Sequence, residues 1–295
     1  MQHPLPTTGR EAPPPREFHY RLPGRVGGWR PGAHRGLSLG AGLEFISHAS
    51  LYDRPDPRRL DVRASLRHLG EEWLVRVQRQ RVGITLHAVV DVSASMRFGT
   101  PITKLEVATD FVQAMALSAF RMGDAAGLVA FDATTRDDLF VPPRHGRGLG
   151  DTMAGLLARH PGGRGGIDGL EDAARQLGGR FGLVFIVSDF HWPLQRLGDV
   201  LDLFAPARVV PLVVWDPAEI DPPARNAIAL LQDMESGRQR TVWLRPRLRE
   251  AWRHAAGQRR EALTQACASR GLRPFFISGM FDGDALSAYF LDLAA

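Results

Sequence analysis

The chain has one lysine and one cysteine among its 295 residues. The lone cysteine, Cys267, excludes an intrachain disulfide and a cysteine-rich zinc site. It falls in a helical stretch, 247–270, where a buried inert thiol is the expected reading rather than a nucleophile. Lysine is confined to Lys104, so almost all of the 37 basic residues are arginine, and with 32 Asp+Glu they leave a formal charge of +5. The arginines are scattered and form no dense stripe interleaved with aromatics. That argues against nucleic-acid binding, and an acidic protein partner would be served equally well. No apolar run approaches the ~18–20 residues of a membrane helix, so no membrane insertion is expected. The first residues are proline-rich and polar rather than basic then apolar, which does not read as a signal peptide; a cytoplasmic location is the expectation. Gly-Lys-Ser/Thr is absent, so there is no Walker A loop; if ATP drives the function, another protein hydrolyses it. Gly36-Leu-Ser38-Leu-Gly40 has the spacing of a nucleophile elbow without the buried strand before it or the helix after it. Gly146-Arg-Gly148-Leu-Gly150 follows no long apolar strand and does not read as a dinucleotide fingerprint.

With 44% hydrophobic residues the chain has ample material for a buried core. Residues 1–17 are proline-rich and aperiodic, and a disordered tail is expected. Residues 18–81 read as a leader with few helical patterns, in which 73–78 alternates enough for a strand. The leader is expected to pack on, or extend, the main domain. From residue 82 to 295 the elements alternate. Strands are expected at 82–90, 126–131, 138–141, 183–188, 208–215 and 274–278. Helices are expected at 104–120, 151–159, 168–177, 194–204, 247–270 and 284–291. A hairpin insertion is expected near 227–244, with 228–232 and 241–244 as its strands. Near-continuous apolar strands separated by helices predict an α/β fold: a doubly wound, mostly parallel sheet covered on both faces.

Against that frame one segment carries chemistry. Asp91-Val-Ser93-Ala-Ser95 follows the apolar run Ile84–Val90 and precedes the amphipathic stretch Lys104–Arg121. One carboxylate and two hydroxyls at alternate positions place three hard oxygens on one turn. Hard oxygens suit Mg²⁺ or Mn²⁺. The carboxyl end of a strand is also where open α/β sheets hold ligands. Asp189 sits just after a second apolar strand, Leu183–Ser188, whose end should point at the same crevice. The plainer reading of Asp189 is a cap on the following helix.

Asp91-Val-Ser93-Ala-Ser95-Met96 resembles the metal-ion-dependent adhesion site of von Willebrand factor A domains. The likeness continues in Gly40-Ala-Gly-Leu-Glu44-Phe45, in the run from Tyr52 to Asp61, in Arg121-Met-Gly123-Asp124, in Val187-Ser188-Asp189-Phe190 and in Asp233-Met-Glu235-Ser-Gly237. It covers roughly residues 18–295 and is similar to a bacterial branch, a domain of unknown function, that accompanies MoxR-type AAA+ ATPases. The resemblance implies that Asp91 binds a cation directly or through water, that Ser93 and Ser95 ligate directly, and that Asp189 reaches the metal through water. It implies Mg²⁺, with Mn²⁺ or Ca²⁺ as variants. The family's threonine ligand is missing: Arg164-Gly165-Gly166 is followed by Ile167, and Asp168 is the candidate replacement from the next position or a helix cap instead. Thr134, Thr135 and Thr152 are other hydroxyls without a pattern behind them. His191, Trp192, Met96, Arg97 and Phe98 flank the crevice and suit either a protein interface or loop packing.

What the resemblance implies about function is a non-enzymatic, metal-dependent adaptor. Its partners would be a MoxR-type AAA+ ATPase and a client protein complex that the pair matures or activates; in methanol-oxidising bacteria the client is methanol dehydrogenase and the task calcium insertion. Two alternatives stand beside it. One is a scaffold whose metal site has decayed, as Ile167 permits. The other is a metal-dependent phosphoester hydrolase, against which no aspartate or histidine nucleophile follows the first strand in a phosphatase-like pattern and nothing resembles a second-metal cluster.

Overall fold

A computed structural model describes residues 17–22, 31–70, 72–178, 182–222, 228–232 and 238–294. In chain order its elements are β1 (Pro31–Ser50), α1 (Val62–Ser65), β2 (Leu74–Val82), β3 (Thr85–Asp91), α2 (Lys104–Met122), β4 (Ala125–Phe131), β5 (Val141–Arg144), α3 (Leu149–Arg159), α4 (Ile167–Leu177), β6 (Leu183–Ser188), α5 (Leu197–Asp202), β7 (Arg208–Trp215), α6 (Pro217–Ile220), β8 (Ile228–Gln232), β9 (Gln239–Trp243), α7 (Pro246–Ala268), β10 (Phe275–Ser278) and α8 (Gly283–Ala294).

Six strands form one sheet in the order β10-β7-β6-β3-β4-β5, parallel except for β5. This is the expected α/β architecture with a mostly parallel sheet. Alternate residues of the central strands feed two separate cores, which is what burial on both faces requires. Leu86, Ala88, Val90, Phe185 and Val187 face one core with Leu105, Ala108, Val112, Met115 and Ala119 of α2. Val89, Val184 and Ile186 face the other, with Leu170 of α4, Val200 of α5 and Cys267 of α7. Burial pushes the Cys267 thiol up to about 11, in keeping with an inert core residue.

The leader docks in two ways. Phe18 is 1% exposed and lies among Phe111, Phe185 and Phe290, while its N–H donates to Ser118 Oγ at 2.9 Å. Asp124, at the start of β4, accepts hydrogen bonds from the Tyr20 hydroxyl, from the Ile84 N–H at 2.9 Å and from His34 Nε2 at 2.8 Å. β1 and β2 pair antiparallel as their own two-stranded sheet, apart from the main one.

Several expected boundaries move. Val82 ends β2, and the central strand starts only at Thr85, because Gly83 breaks the apolar run. The edge strand lies at 141–144 rather than 138–141, since 137–139 closes into a 3-10 turn. Pro142 and Pro143 donate no ladder bonds and are tolerated because β5 is an edge. Residues 194–204 split into a 3-10 turn at 194–196 and the short α5. Of the expected tail at 1–17, Glu17 is described and pairs with Arg121, while 1–16 and the 233–237 part of the hairpin lie outside the described residues. Among the described residues no helix is long and apolar enough to cross a membrane.

Candidate functional site

β3 and β6 run side by side and parallel, with Val90 opposite Val187, so Asp91 and Asp189 leave the sheet at the same carboxyl edge. Asp91 is 1% exposed. Its Oδ1 accepts the Ser93 N–H at 2.9 Å, and its Oδ2 accepts the Ser188 hydroxyl at 2.6 Å. Ser93 Oγ and Ser95 Oγ stand 3.1 Å apart, and the Ser95 side chain bonds Asp189. Four of the five expected site residues, Asp91, Ser93, Ser95 and Asp189, thus form one hydrogen-bonded group. Phe190 turns the chain away from Asp189 through a left-handed backbone (φ 53°), a conformation a bulky residue holds only where its surroundings enforce it.

Two buried carboxylates at one edge carry an electrostatic cost, and they meet it differently. Burial pushes the Asp91 carboxyl up to about 6, and the neighbouring Asp189 charge adds to the shift, while the Ser188 and Ser93 donors oppose it. Burial acts on Asp189 in the same direction, but the Lys104 ammonium beside it prevails and holds it below the usual carboxylate range. Lys104, the first residue of α2 behind a Thr103–Glu106 capping box, is 2% exposed. Its Nζ donates to Asp189 Oδ2 and to Glu219 Oε1, each at 2.6 Å. Glu219 is fixed by a second capping box, in which its Oε2 accepts the Asp216 N–H at 3.0 Å. His191 Nε2 lies 3.5 Å from Glu219 Oε1. Asp189, His191 and Glu219 bring ligand atoms within 4.8 Å of one another, and the ammonium bridges two of the three.

Asp168 is placed elsewhere. It is exposed in the first turn of α4, and its carboxylate pairs with Arg196. Ile167 before it is 8% exposed and belongs to the core beneath β3 and β4. The glycine turn ahead of α4 does reach the site: the Ala94 N–H donates to Gly163 O at 2.7 Å, and the Gly163 N–H to Val92 O at 3.3 Å. A Cβ on Gly163 would stand 2.0 Å from Asp132 Oδ2, so this approach requires glycine. The Thr152 hydroxyl is spent locally, donating to Gly148 O, and Thr134 is an exposed residue whose N–H donates to Asp132 Oδ1. Met96 and Trp192 are core residues, whereas Phe98 and His191 reach the surface.

The donor set fits a small hard cation in part. Neighbouring ligands of an octahedral Mg²⁺, each 2.0–2.1 Å from the ion, stand about 3 Å apart. The serine hydroxyls match that spacing, and Asp91 is the carboxylate left without a positive partner among the described contacts. Asp189, by contrast, is already neutralised by Lys104. Lys104, Glu219 and Ser188 were not anticipated from sequence. Their signals were present: the lone lysine of an arginine-rich chain, an Asp-Pro-x-Glu capping box after an apolar strand, and a hydroxyl beside Asp189.

Comparison with known proteins places the chain among uncharacterised relatives. It is 30% identical over 234 residues to uncharacterised proteins of Mycobacterium tuberculosis and Mycobacterium bovis, covering 78% of this chain and 72% of each relative. Among solved structures, an aerotolerance-related membrane protein of Bacteroides fragilis is similar at 15% identity and a TM-score of 0.43, over 71% of this chain and 98% of that one. BatB of Bacteroides thetaiotaomicron is similar at 15% identity and a TM-score of 0.42, over 72% and 98%. Residues 54–262, from the leader through most of α7, match the family described as "Protein of unknown function DUF58", and the chain belongs to that family.

Proposed function

We propose that the chain is a non-enzymatic adaptor built on a von Willebrand factor A-like domain, and that it binds a protein partner through a divalent cation, Mg²⁺ foremost. Asp91, Ser93 and Ser95 would hold the cation, with Asp189 behind them. When bound, the cation supplies an open coordination position for a carboxylate of the partner. The partner in this reading is a MoxR-type AAA+ ATPase that works with the adaptor on a client complex, in keeping with the chain's own lack of a Walker A loop.

The observation that carries the reading is the oxygen group itself: one buried carboxylate and two hydroxyls, 3.1 Å apart, at the carboxyl edge of the central strands. The non-enzymatic part rests on how the carboxylates are engaged. Asp189 is held by an ammonium and is not free to take a proton from a substrate, and Asp91 is committed in this reading to the cation. A second reading, a docking scaffold that works without a cation, is favoured by Lys104, which already neutralises one side of the crevice.

A tagged pull-down from native extract separates them, run with Mg²⁺ or EDTA on wild type and Asp91→Ala. An AAA+ ATPase recovered with Mg²⁺ and lost with EDTA and with Asp91→Ala supports the cation-dependent adaptor. Recovery that ignores both supports the scaffold. Failure to recover an ATPase under any condition removes the partner assignment.

A further inference from the structure

The six-stranded sheet ends in β10, which pairs on one side only, with Leu212–Trp215 of β7. Among the described residues no strand covers its other side, so alternate N–H and C=O groups of Phe275–Ser278 point away from the sheet without a ladder partner. Two helices stand over this edge from opposite faces. Leu263 and Cys267 of α7 belong to the core that Phe276 packs against, and Leu286, Tyr289 and Phe290 of α8 to the core that Phe275 packs against. Between the helices lies a groove of about 630 Å³ with the edge strand in its lining. Small exposed side chains keep it open: Thr264 of α7, and Ala285 and Ala288 of α8. Its cations are the exposed Arg260 and Arg273, each laid over an aromatic ring. The Arg260 guanidinium sits 4.0 Å from the Phe276 centroid, and that of Arg273 sits 5.4 Å from the Tyr289 centroid. The groove's carboxylate, Asp292, lies 3.7 Å from Arg273.

We propose that this groove receives an extended acidic segment of a partner protein, which adds to the sheet beside β10 and sets a carboxylate against Arg260. Two observations select this occupant. The first is the open backbone edge. Another extended chain can pair with it along its length, whereas a helix has spent its own N–H and C=O groups internally. Four residues at about 3.3 Å each give an edge of about 13 Å, the length of a short added strand. The second is the charge in the groove itself. Arg260 has no carboxylate partner among the described contacts, and the ring beneath it orients its guanidinium toward a ligand. Arg273 adds a second positive charge, offset in part by Asp292, so the groove favours an acidic chain over a basic one. The groove shares no residue with Asp91, Ser93, Ser95 or Asp189. It is a second contact site, independent of any cation in the crevice.

The test uses the full chain in EDTA and fluorescein-labelled octapeptides in which Thr alternates with Glu, Ser or Lys, read by anisotropy. The Glu peptide should bind about tenfold or more tighter than the Ser peptide, with the Lys peptide weakest. Methylating one alternate set of its backbone nitrogens should abolish binding, and methylating the other set should cost far less, because an added strand bonds β10 along one side only. Arg260→Glu should reverse the order of the Glu and Lys peptides. Ala288→Trp, at an exposed position of α8, should abolish binding, and Asp91→Ala should leave it unchanged; thermal unfolding checks that each variant folds as wild type does. Equal binding of the three peptides, binding of none, equal losses from the two methylation patterns, or binding that survives Ala288→Trp overturns the proposal. Binding of the Glu peptide that appears only with Mg²⁺ and is lost in Asp91→Ala would place the acidic segment in the crevice, supporting the cation reading and overturning this one. A dimer of the chain in sedimentation that dissociates in Ala288→Trp would assign the edge to a second copy and overturn the proposal as well.

Discussion

Lys104→Met removes the ammonium while keeping an unbranched side chain of similar reach. In the native protein Lys104 and Asp189 are 2% and 1% exposed, with Nζ 2.6 Å from the carboxylate. Breaking such a pair from one side strands a buried charge and costs about 3–5 kcal/mol. The Glu219 side chain is 19% exposed, so solvent relieves part of its loss. A domain of ordinary stability, about 5–15 kcal/mol, still folds after this loss. The deficit depends on pH in a direction set by Asp189. In wild type its depressed pKa stabilises the fold above the unfolded value of about 4, and that contribution is lost as the pH falls through the folded value. Without the ammonium, burial is the largest remaining influence and pushes the carboxyl up, against the Ser95 hydrogen bond and the nearby His191. The variant's deficit is therefore largest at high pH, shrinks as the pH falls through the variant's raised folded value, and shrinks further below about 4 as the wild type loses its own contribution. Urea unfolding followed by tryptophan fluorescence in EDTA, at pH 8 and pH 5, measures this. A midpoint within about 1 kcal/mol of wild type at pH 8, judged against the expected 3–5, would show that the pair is hydrated and refute the reasoning. Combining Lys104→Met with Asp189→Asn should cost less than the sum of the two single changes, because the stranded charge is gone.

Asp91 predicts the opposite sign. Its folded pKa of about 6 lies above the unfolded value, so the fold is penalised above pH 6 and not below about 4. Asp91→Asn in EDTA should gain up to about 2–3 kcal/mol at pH 8 at 1.36 kcal/mol per pH unit, and the gain should disappear near pH 4; a loss of stability at pH 8 in urea unfolding would contradict the assigned shift. Gly163→Ala sets a methyl 2.0 Å from Asp132 Oδ2 and should cost about 1–3 kcal/mol, whereas unchanged thermal unfolding would mean that the glycine turn does not dock as described. Phe18→Ala empties a site packed against Phe111, Phe185 and Phe290 and should cost about 3–5 kcal/mol; a loss under about 1 kcal/mol would mean that the leader is not part of the core.

The central sheet was legible because its strands announce themselves locally. Leu183–Ser188 and Arg208–Trp215 are unbroken apolar runs closed by polar residues, and both lie where expected. The pairing of β6 with β3, and hence the meeting of Asp91 and Asp189, followed from strand order in doubly wound sheets. β1 was not anticipated: its twenty residues include four glycines and a repeatedly shifted register, which erase the period-two signal. Asp168 was assigned to the site by sequence neighbourhood alone, but one helical position turns the side chain by about 100°, enough to carry it from the crevice to Arg196. Lys104 read as an ordinary helix residue because its partners lie 85 and 115 positions away, beyond any local pattern.

The choice of lysine bears on how strongly the crevice can hold a cation. Arginine serves nearly every other basic position, but a planar guanidinium does not fit where a compact ammonium donates to two converging carboxylates. Lys104 thus acts as an internal cation on the Asp189 side, and it leaves the positive charge still wanted on the Asp91 side, where the carboxyl is pushed up. A divalent ion held by Asp91, Ser93 and Ser95 would be repelled by that ammonium and denied the full charge of Asp189. Removing it should therefore trade stability for affinity. Lys104→Met, although less stable in EDTA, should gain more in unfolding temperature from added Mg²⁺ than wild type gains, because ligand stabilisation grows with the ratio of free ion to dissociation constant. Thermal unfolding of both proteins across a Mg²⁺ series decides it. Equal gains would mean that Lys104 and the ion do not share a field, and a smaller gain in the variant would mean that the ammonium builds the cation site rather than opposing it.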